Sequence, residues 1–131
     1  MDIEEIEKSL PNGFHDASLR KIEIDFVKKE AKFHLAVDVS DCDAIPLKEE
    51  YRDGILTLMG LVYCVVEPPS SSSVELNEAL WIADSGPISS IEPAVKLPAI
   101  PAKAFAYYFF VNNWNAFIYV AAIDATFEWD I

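Results

Sequence analysis

A chain of 131 residues has room for one domain with its own core and is short for two. Hydrophobic residues make up 52% and charged residues 24%, which excludes an intrinsically disordered chain. Twenty-two acidic against ten basic side chains give a net charge of −12; a field of that sign repels phosphate backbones and excludes nucleic acid as an expected partner.

The opening MDIEEIEK has no cationic segment followed by an apolar run, so no secretory leader is expected. Asp2 stands where a helix cap would, and Glu5 three positions on completes the spacing of a capping box. Ile3, Ile6 and Leu10 form one apolar stripe, which Pro11 and Asn12-Gly13 end. The hexapeptide NGFHDA follows, placing His15 directly before Asp16.

From there the period changes to two. Ile22, Ile24 and Phe26 alternate with Lys21, Glu23 and Asp25, then Phe33, Leu35, Val37 and Val39 alternate with Lys32, His34 and Asp38. A turn at Lys28-Lys29 sets Phe26 opposite Ala31, Ile24 opposite Phe33, Asp25 opposite Lys32 and Glu23 opposite His34. Residues 40–54 are polar and read as a connection. Residues 55–67, ILTLMGLVYCVVE, are apolar on both faces and predict a central strand covered on each side. Pro68-Pro69 and four serines read as an exposed loop, and residues 76–84 contain a further strand around Trp81. Pro87, Pro93, Pro98 and Pro101 exclude a central strand and predict an edge or a long covering loop. The final third reads as a second hairpin, residues 104–111 and 116–129, turning at Asn113-Trp114, with Phe109 meeting Ile118 and Tyr108 meeting Tyr119. Beyond Ile123 one face becomes Asp124, Thr126 and Glu128, so the strand there meets water on one side. The pattern as a whole predicts a mainly β (α+β) fold: a single domain, residues 1–131, whose antiparallel sheet is curled or doubled into a sandwich, with one short N-terminal helix.

Charge is unevenly spread. Residues 1–53 hold fourteen acidic and eight basic groups, and residues 54–131 hold eight acidic and two basic, so much of the second part must be buried. The longest nearly uncharged runs, 55–66 and 104–111, fall short of the roughly 18 residues of a membrane helix, so no membrane partner is expected. Cys42 and Cys64 lack CxxC spacing and read as reduced thiols in a cytoplasmic protein.

Three features carry candidate chemistry. His15-Asp16 matches the doublet of metal-dependent phosphohydrolases, but a metal shell needs further histidines, and this chain offers only His34, which pairs with Glu23. No nucleophile elbow of the GxSxG type is present. The reading is structural: Asp16 accepts backbone or arginine hydrogen bonds as the helix gives way to the strand. The acidic loop with Asp38, Asp41, Asp43 and Glu49 fails as a calcium loop, because position five is Cys42 and position six is Asp43. The aromatic run Phe105, Tyr107, Tyr108, Phe109 and Phe110, with Trp114, Phe117 and Tyr119, reads as core, with a subunit interface as the alternative. No catalytic residue, metal ligand or cofactor is assigned.

Two stretches, LPNGFHDASLRKIEID and YRDGILTLMGLVYCVVEPP, together resemble an uncharacterised family of small bacterial proteins. Its members open on a GFHDA-like motif and later carry a tyrosine-arginine pair, an LTL-type strand and a glutamate-proline. The FHDA opening is also similar to immunity proteins of polymorphic toxin systems. The resemblance covers about a quarter of the chain and implies no activity. It singles out Phe14, His15, Asp16, Tyr51, Arg52 and Glu67 as binding candidates, with Asp16 and Arg52 expected to meet as a charge pair near one end of the sheet and Glu67 close by.

The expected function is a non-enzymatic acidic binding protein, immunity-like, which occludes a basic protein partner. The alternative is a small-molecule or metal-binding domain, an enzyme among its forms, with a pocket near His15, Asp16 and Arg52. A third reading is a structural module that homodimerises through its aromatic strands.

Overall fold

In the computed structural model, which describes residues 1–70 and 79–130, the alternating segments form eight strands. These are β1 (Ser18–Asp25), β2 (Glu30–Asp38), β3 (Tyr51–Met59), β4 (Tyr63–Val66), β5 (Leu80–Pro87), β6 (Phe105–Val111), β7 (Ala116–Ala122) and β8 (Asp124–Trp129), preceded by a helix, α1 (Ile3–Ser9). Neighbouring strands are all antiparallel, in the order β4-β7-β6-β5-β1-β2-β3-β8. The expected fold class holds: a mainly β chain with one short N-terminal helix.

The sheet curls at two corners. At one, β3 passes into β4 and β7 into β8 side by side; Ile123 donates to the Met59 carbonyl at 3.1 Å and Val62 to the Ala121 carbonyl at 2.7 Å. Gly60 supplies the left-handed backbone (φ 63°) that the bend requires. At the other corner, β1 pairs with β5 only at Ser18–Trp81 and Leu19–Leu80, and the β1–β2 ladder bulges between Leu19 and Lys21. The inner face is closed by Phe33, Leu35 and Val37 of β2, Leu56 and Leu58 of β3, Phe109 of β6 and Ile118 and Val120 of β7, all buried. A core side chain of this size stabilises by roughly 1.5–3 kcal/mol relative to exposure.

Seven residues make a marginal helix in water, so α1 depends on docking. The Asp2 carboxylate accepts from the Glu5 amide at 2.8 Å, the cap that the sequence predicts. Ile3 and Ile6 are fully buried, and the Ala125 amide donates to the Met1 carbonyl at 2.8 Å, tying the N-terminus to β8.

The second hairpin has the predicted register, Phe109 opposite Ile118 and Tyr108 opposite Tyr119. The first does not. A four-residue turn, residues 26–29, replaces the two-residue turn at Lys28-Lys29, and the register moves by two: Ile24 faces Ala31 and Ile22 faces Phe33. The Asp25 carboxylate accepts from the amides of Val27 and Lys28, at 3.0 and 2.9 Å, which fixes that turn. Glu23 still reaches His34 at 2.5 Å, as a diagonal contact.

Two predicted strands prove to be double. Residues 55–67 break at Gly60 into β3, which begins four residues earlier at Tyr51 within the predicted connection 40–54, and the edge strand β4, and residues 116–129 break at Ile123 into β7 and β8. The strand predicted around Trp81 is present as β5, whereas its residues 76–78 and serines 71–73 lie outside the described residues. Pro87, expected in an edge or a covering loop, ends the interior strand β5 opposite Tyr107, past its pairing with β1, and the remaining proline-spaced stretch 91–104 forms no strand. Tyr107, Tyr108, Phe109 and Tyr119 are buried within the chain, and Phe105, Phe110, Trp114 and Phe117 are half-buried. No helix among the described residues is long and apolar enough to cross a membrane.

Candidate functional site

The FHDA corner joins α1 to both sides of the sheet. Gly13 takes a left-handed conformation (φ 58°) beside the Glu7 side chain. Phe14 drops into the core, fully buried and edge-on to Phe109 with ring centroids 5.4 Å apart. Asp16 is also left-handed (φ 64°), a conformation that aspartate tolerates better than most residues. Its amide donates to the Ile82 carbonyl at 2.8 Å, and the Ile82 amide donates to the Ala17 carbonyl at 2.9 Å. The backbone therefore braces the corner against β5. The two polar side chains point outward: His15 Nδ1 lies 3.1 Å from an Asp16 oxygen, with side chains 67% and 56% exposed.

Beneath this corner lies a polar connection that sequence reasoning overlooked. Helix residues 3, 6, 7 and 10 share one face, so Glu7 falls inside the apolar stripe. There it accepts hydrogen bonds from the Tyr107 and Ser85 hydroxyls and from the Phe14 amide at 3.3 Å. Burial, followed by the Glu7 hydrogen bond, pushes the Tyr107 hydroxyl far above its usual range. A carboxylate in an otherwise apolar stripe was the available signal, since such a group must find donors.

Outside, the corner borders a cleft of about 230 Å³ lined by Asn12, Asp16, Asp38, Ser40, Cys42, Leu47, Glu49 and Tyr51. Asn12 holds the cleft to the β2–β3 connection, donating to the carbonyls of Asp38 and Ser40 at 3.1 and 2.9 Å. Burial first, then the Glu49, Asp38 and Asp16 carboxylates, push the Tyr51 hydroxyl upward. Three carboxylates thus act on one phenol. The Tyr51 ring also meets Trp81 at a centroid distance of 6.0 Å. Ser18 and Ala36, small and buried, occupy the strands between β3 and β5 and let the two rings approach.

Of the six residues singled out in sequence, Asp16 and Tyr51 line this cleft, while His15 stands beside Asp16 on the outside of the corner and Phe14 lies in the core. Arg52 and Glu67 do not join them. Among the described residues no ion pair links Asp16 to Arg52; the Arg52 guanidinium lies 4.8 Å over the Trp129 ring instead. The expected charge pair is replaced by a cation–aromatic contact because β3 alternation puts Tyr51 and Arg52 on opposite faces. Glu67 follows β4 and serves the other half of the sheet, accepting from the Phe117 amide at 2.8 Å and the Tyr119 hydroxyl at 3.3 Å. Asp41, Cys42 and Asp43 place ligand-type atoms within 4.8 Å of one another, but all three are exposed and their spacing follows from the turn in which the Asp43 amide donates to Asp41.

No family model matches the chain, and no curated protein matches it significantly. One solved structure, an uncharacterized protein from Neisseria gonorrhoeae, is similar over 88% of this chain and 92% of its own, at 11% identity and a TM-score of 0.47. At that distance the likeness assigns neither a fold family nor a function.

Proposed function

We propose that the protein is a non-enzymatic acidic binding protein that captures a basic protein partner, in the manner of an immunity protein. The observation that carries this reading is the convergence of Asp16, Asp38 and Glu49 on Tyr51 in one open cleft. Carboxylates in that arrangement attract a lysine or arginine side chain, and the exposed Tyr51–Trp81 pair adds an aromatic surface on which a cation can rest. The net charge of −12 steers a basic partner toward the molecule from a distance. The side chains at the FHDA corner support this in a second way: His15 and Asp16 engage each other, while Phe14 and the Asp16 backbone are used in packing and bracing.

The test is affinity capture from the source organism with wild type and an Asp38→Asn/Glu49→Gln variant. A protein of pI above about 9 is expected on wild type at low salt, with loss in the variant and at high salt. Recovery of no basic protein, or equal recovery on the variant, contradicts the reading. Metal analysis separates the alternative, a small-molecule or metal-binding domain near His15, Asp16 and Arg52: stoichiometric zinc, iron or manganese in purified protein would favour it.

A further inference from the structure

The chain has a second exposed apolar surface, of opposite charge, at the far end of the same strands. Five of its ten basic residues, Arg20, Lys21, Lys28, Lys29 and Lys32, fall within residues 20–32 beside three acids, Glu23, Asp25 and Glu30. That segment nets +2, so the remainder of the chain nets −14. Its turn displays Phe26 at 75% and Val27 at 93% exposure, and the Asp25 carboxylate holds the turn in shape. A groove of about 470 Å³ runs beside Ile24, Phe26 and Val27. At the other end of β2, some eight residues or roughly 26 Å away, lie the cleft and the acidic connection with Asp41, Asp43, Glu49 and Glu50. That end is apolar as well: Ile45 is 98% and Leu47 68% exposed.

We propose that the chain associates with itself head to tail, the basic hairpin turn of one copy docking on the acidic cleft end of the next. Each pole carries what the other lacks in charge and shares its apolar character. Lys28 and Lys29, which make no ion pair among the described residues, meet Glu49 and its neighbouring carboxylates. Ile45 and Leu47 of the neighbour gain the groove beside Phe26 as a seat. A second copy fits this surface better than an anionic membrane does, because the three acids among the hairpin cations and the −14 of the remaining chain oppose a lipid surface, whereas the acidic complement is already present on every copy. The contact is heterologous, so it builds chains or closed rings rather than a two-fold dimer. Such assembly masks the acidic cleft, and a basic partner must displace the hairpin to reach it.

The experiment is sedimentation velocity on the full chain between about 10 and about 500 µM at low salt. Wild type is expected to associate with concentration and to dissociate when the NaCl is raised about tenfold. Phe26→Ser/Lys28→Glu and Leu47→Ser/Glu49→Gln, both confined to exposed side chains, are each expected to weaken association at least about tenfold alone while melting like wild type. Mixed one to one, they retain a single intact interface and are expected to form a dimer and nothing larger. Wild type that stays monomeric, a hairpin variant that still associates, or a mixture that remains monomeric overturns the proposal. Association by way of an unrelated two-fold dimer or docking on anionic vesicles would show in the same variants: the first leaves both unaffected, and the second appears only when vesicles are added to a monomer. Loss of self-association leaves capture of a basic partner standing, since that reading needs only the cleft.

Discussion

Asp16 shows how a residue that looks chemical in sequence is used for its backbone. Its left-handed φ of 64° and its amide bond to Ile82 turn the chain from α1 into β1. Alanine resists that conformation by about 1–2 kcal/mol, whereas glycine does not. Asp16→Ala is therefore expected to lower stability by about 1 kcal/mol in urea unfolding and Asp16→Gly to stay within about 0.5 kcal/mol of wild type. Equal loss in both would assign the effect to the carboxylate rather than to the backbone. Cys64 makes a second case. Burial raises its thiol to about 11, so the group stays protonated at pH 8 and its thiolate becomes abundant only as pH approaches that value. Cys42 is exposed. Maleimide at pH 8 is expected to label the exposed Cys42 in the folded protein well before the half-buried Cys64, which catches up on unfolding, with mass spectrometry as the readout; equal native-state rates would contradict the raised thiol.

At the scale of elements, α1 is held by one carboxylate as much as by its apolar stripe. Glu7→Ala leaves the hydroxyl of the buried Tyr107 and the Phe14 amide without their acceptor. The expected cost is about 2–4 kcal/mol by urea unfolding, with Glu7→Gln, which keeps one acceptor oxygen, losing about half as much. A Glu7→Ala variant as stable as wild type would mean that the helix is held by packing alone. Hydrophobic alternation made the strands legible, and the second hairpin could be registered to the residue because both its faces and its turn agree. The first hairpin slipped by two because Asp25 caps a longer turn, a side-chain-to-backbone choice that alternation does not encode. The β3–β4 and β7–β8 breaks were hidden by unbroken apolar runs, although Gly60 and the change of face at Ile123 marked the places. The site was half legible. Asp16 and Tyr51 are far apart in sequence and meet because β2 lies between β1 and β3, the β2–β3 pairing being one that no local pattern reveals; β4 pairs with β7 instead and carries Glu67 to the opposite half.

At the scale of the whole molecule, charge and apolar exposure are arranged along the β1–β2–β3 strands, basic at the hairpin turn and acidic at the cleft. The central claim is that the cleft beside Tyr51 takes a cationic side chain, and the three tryptophans report on it separately. Trp81 lies against Tyr51, Trp129 lies under Arg52, and Trp114 sits by the turn between β6 and β7. The most direct measurement is a titration of ¹⁵N-labelled protein with a short lysine-rich peptide, following the three indole N–H signals by NMR. A saturable shift at Trp81, small or absent at Trp114 and Trp129 and abolished by Asp38→Asn/Glu49→Gln, is the predicted result. Three unmoved indoles, or equal shifts that survive the double substitution, would contradict it.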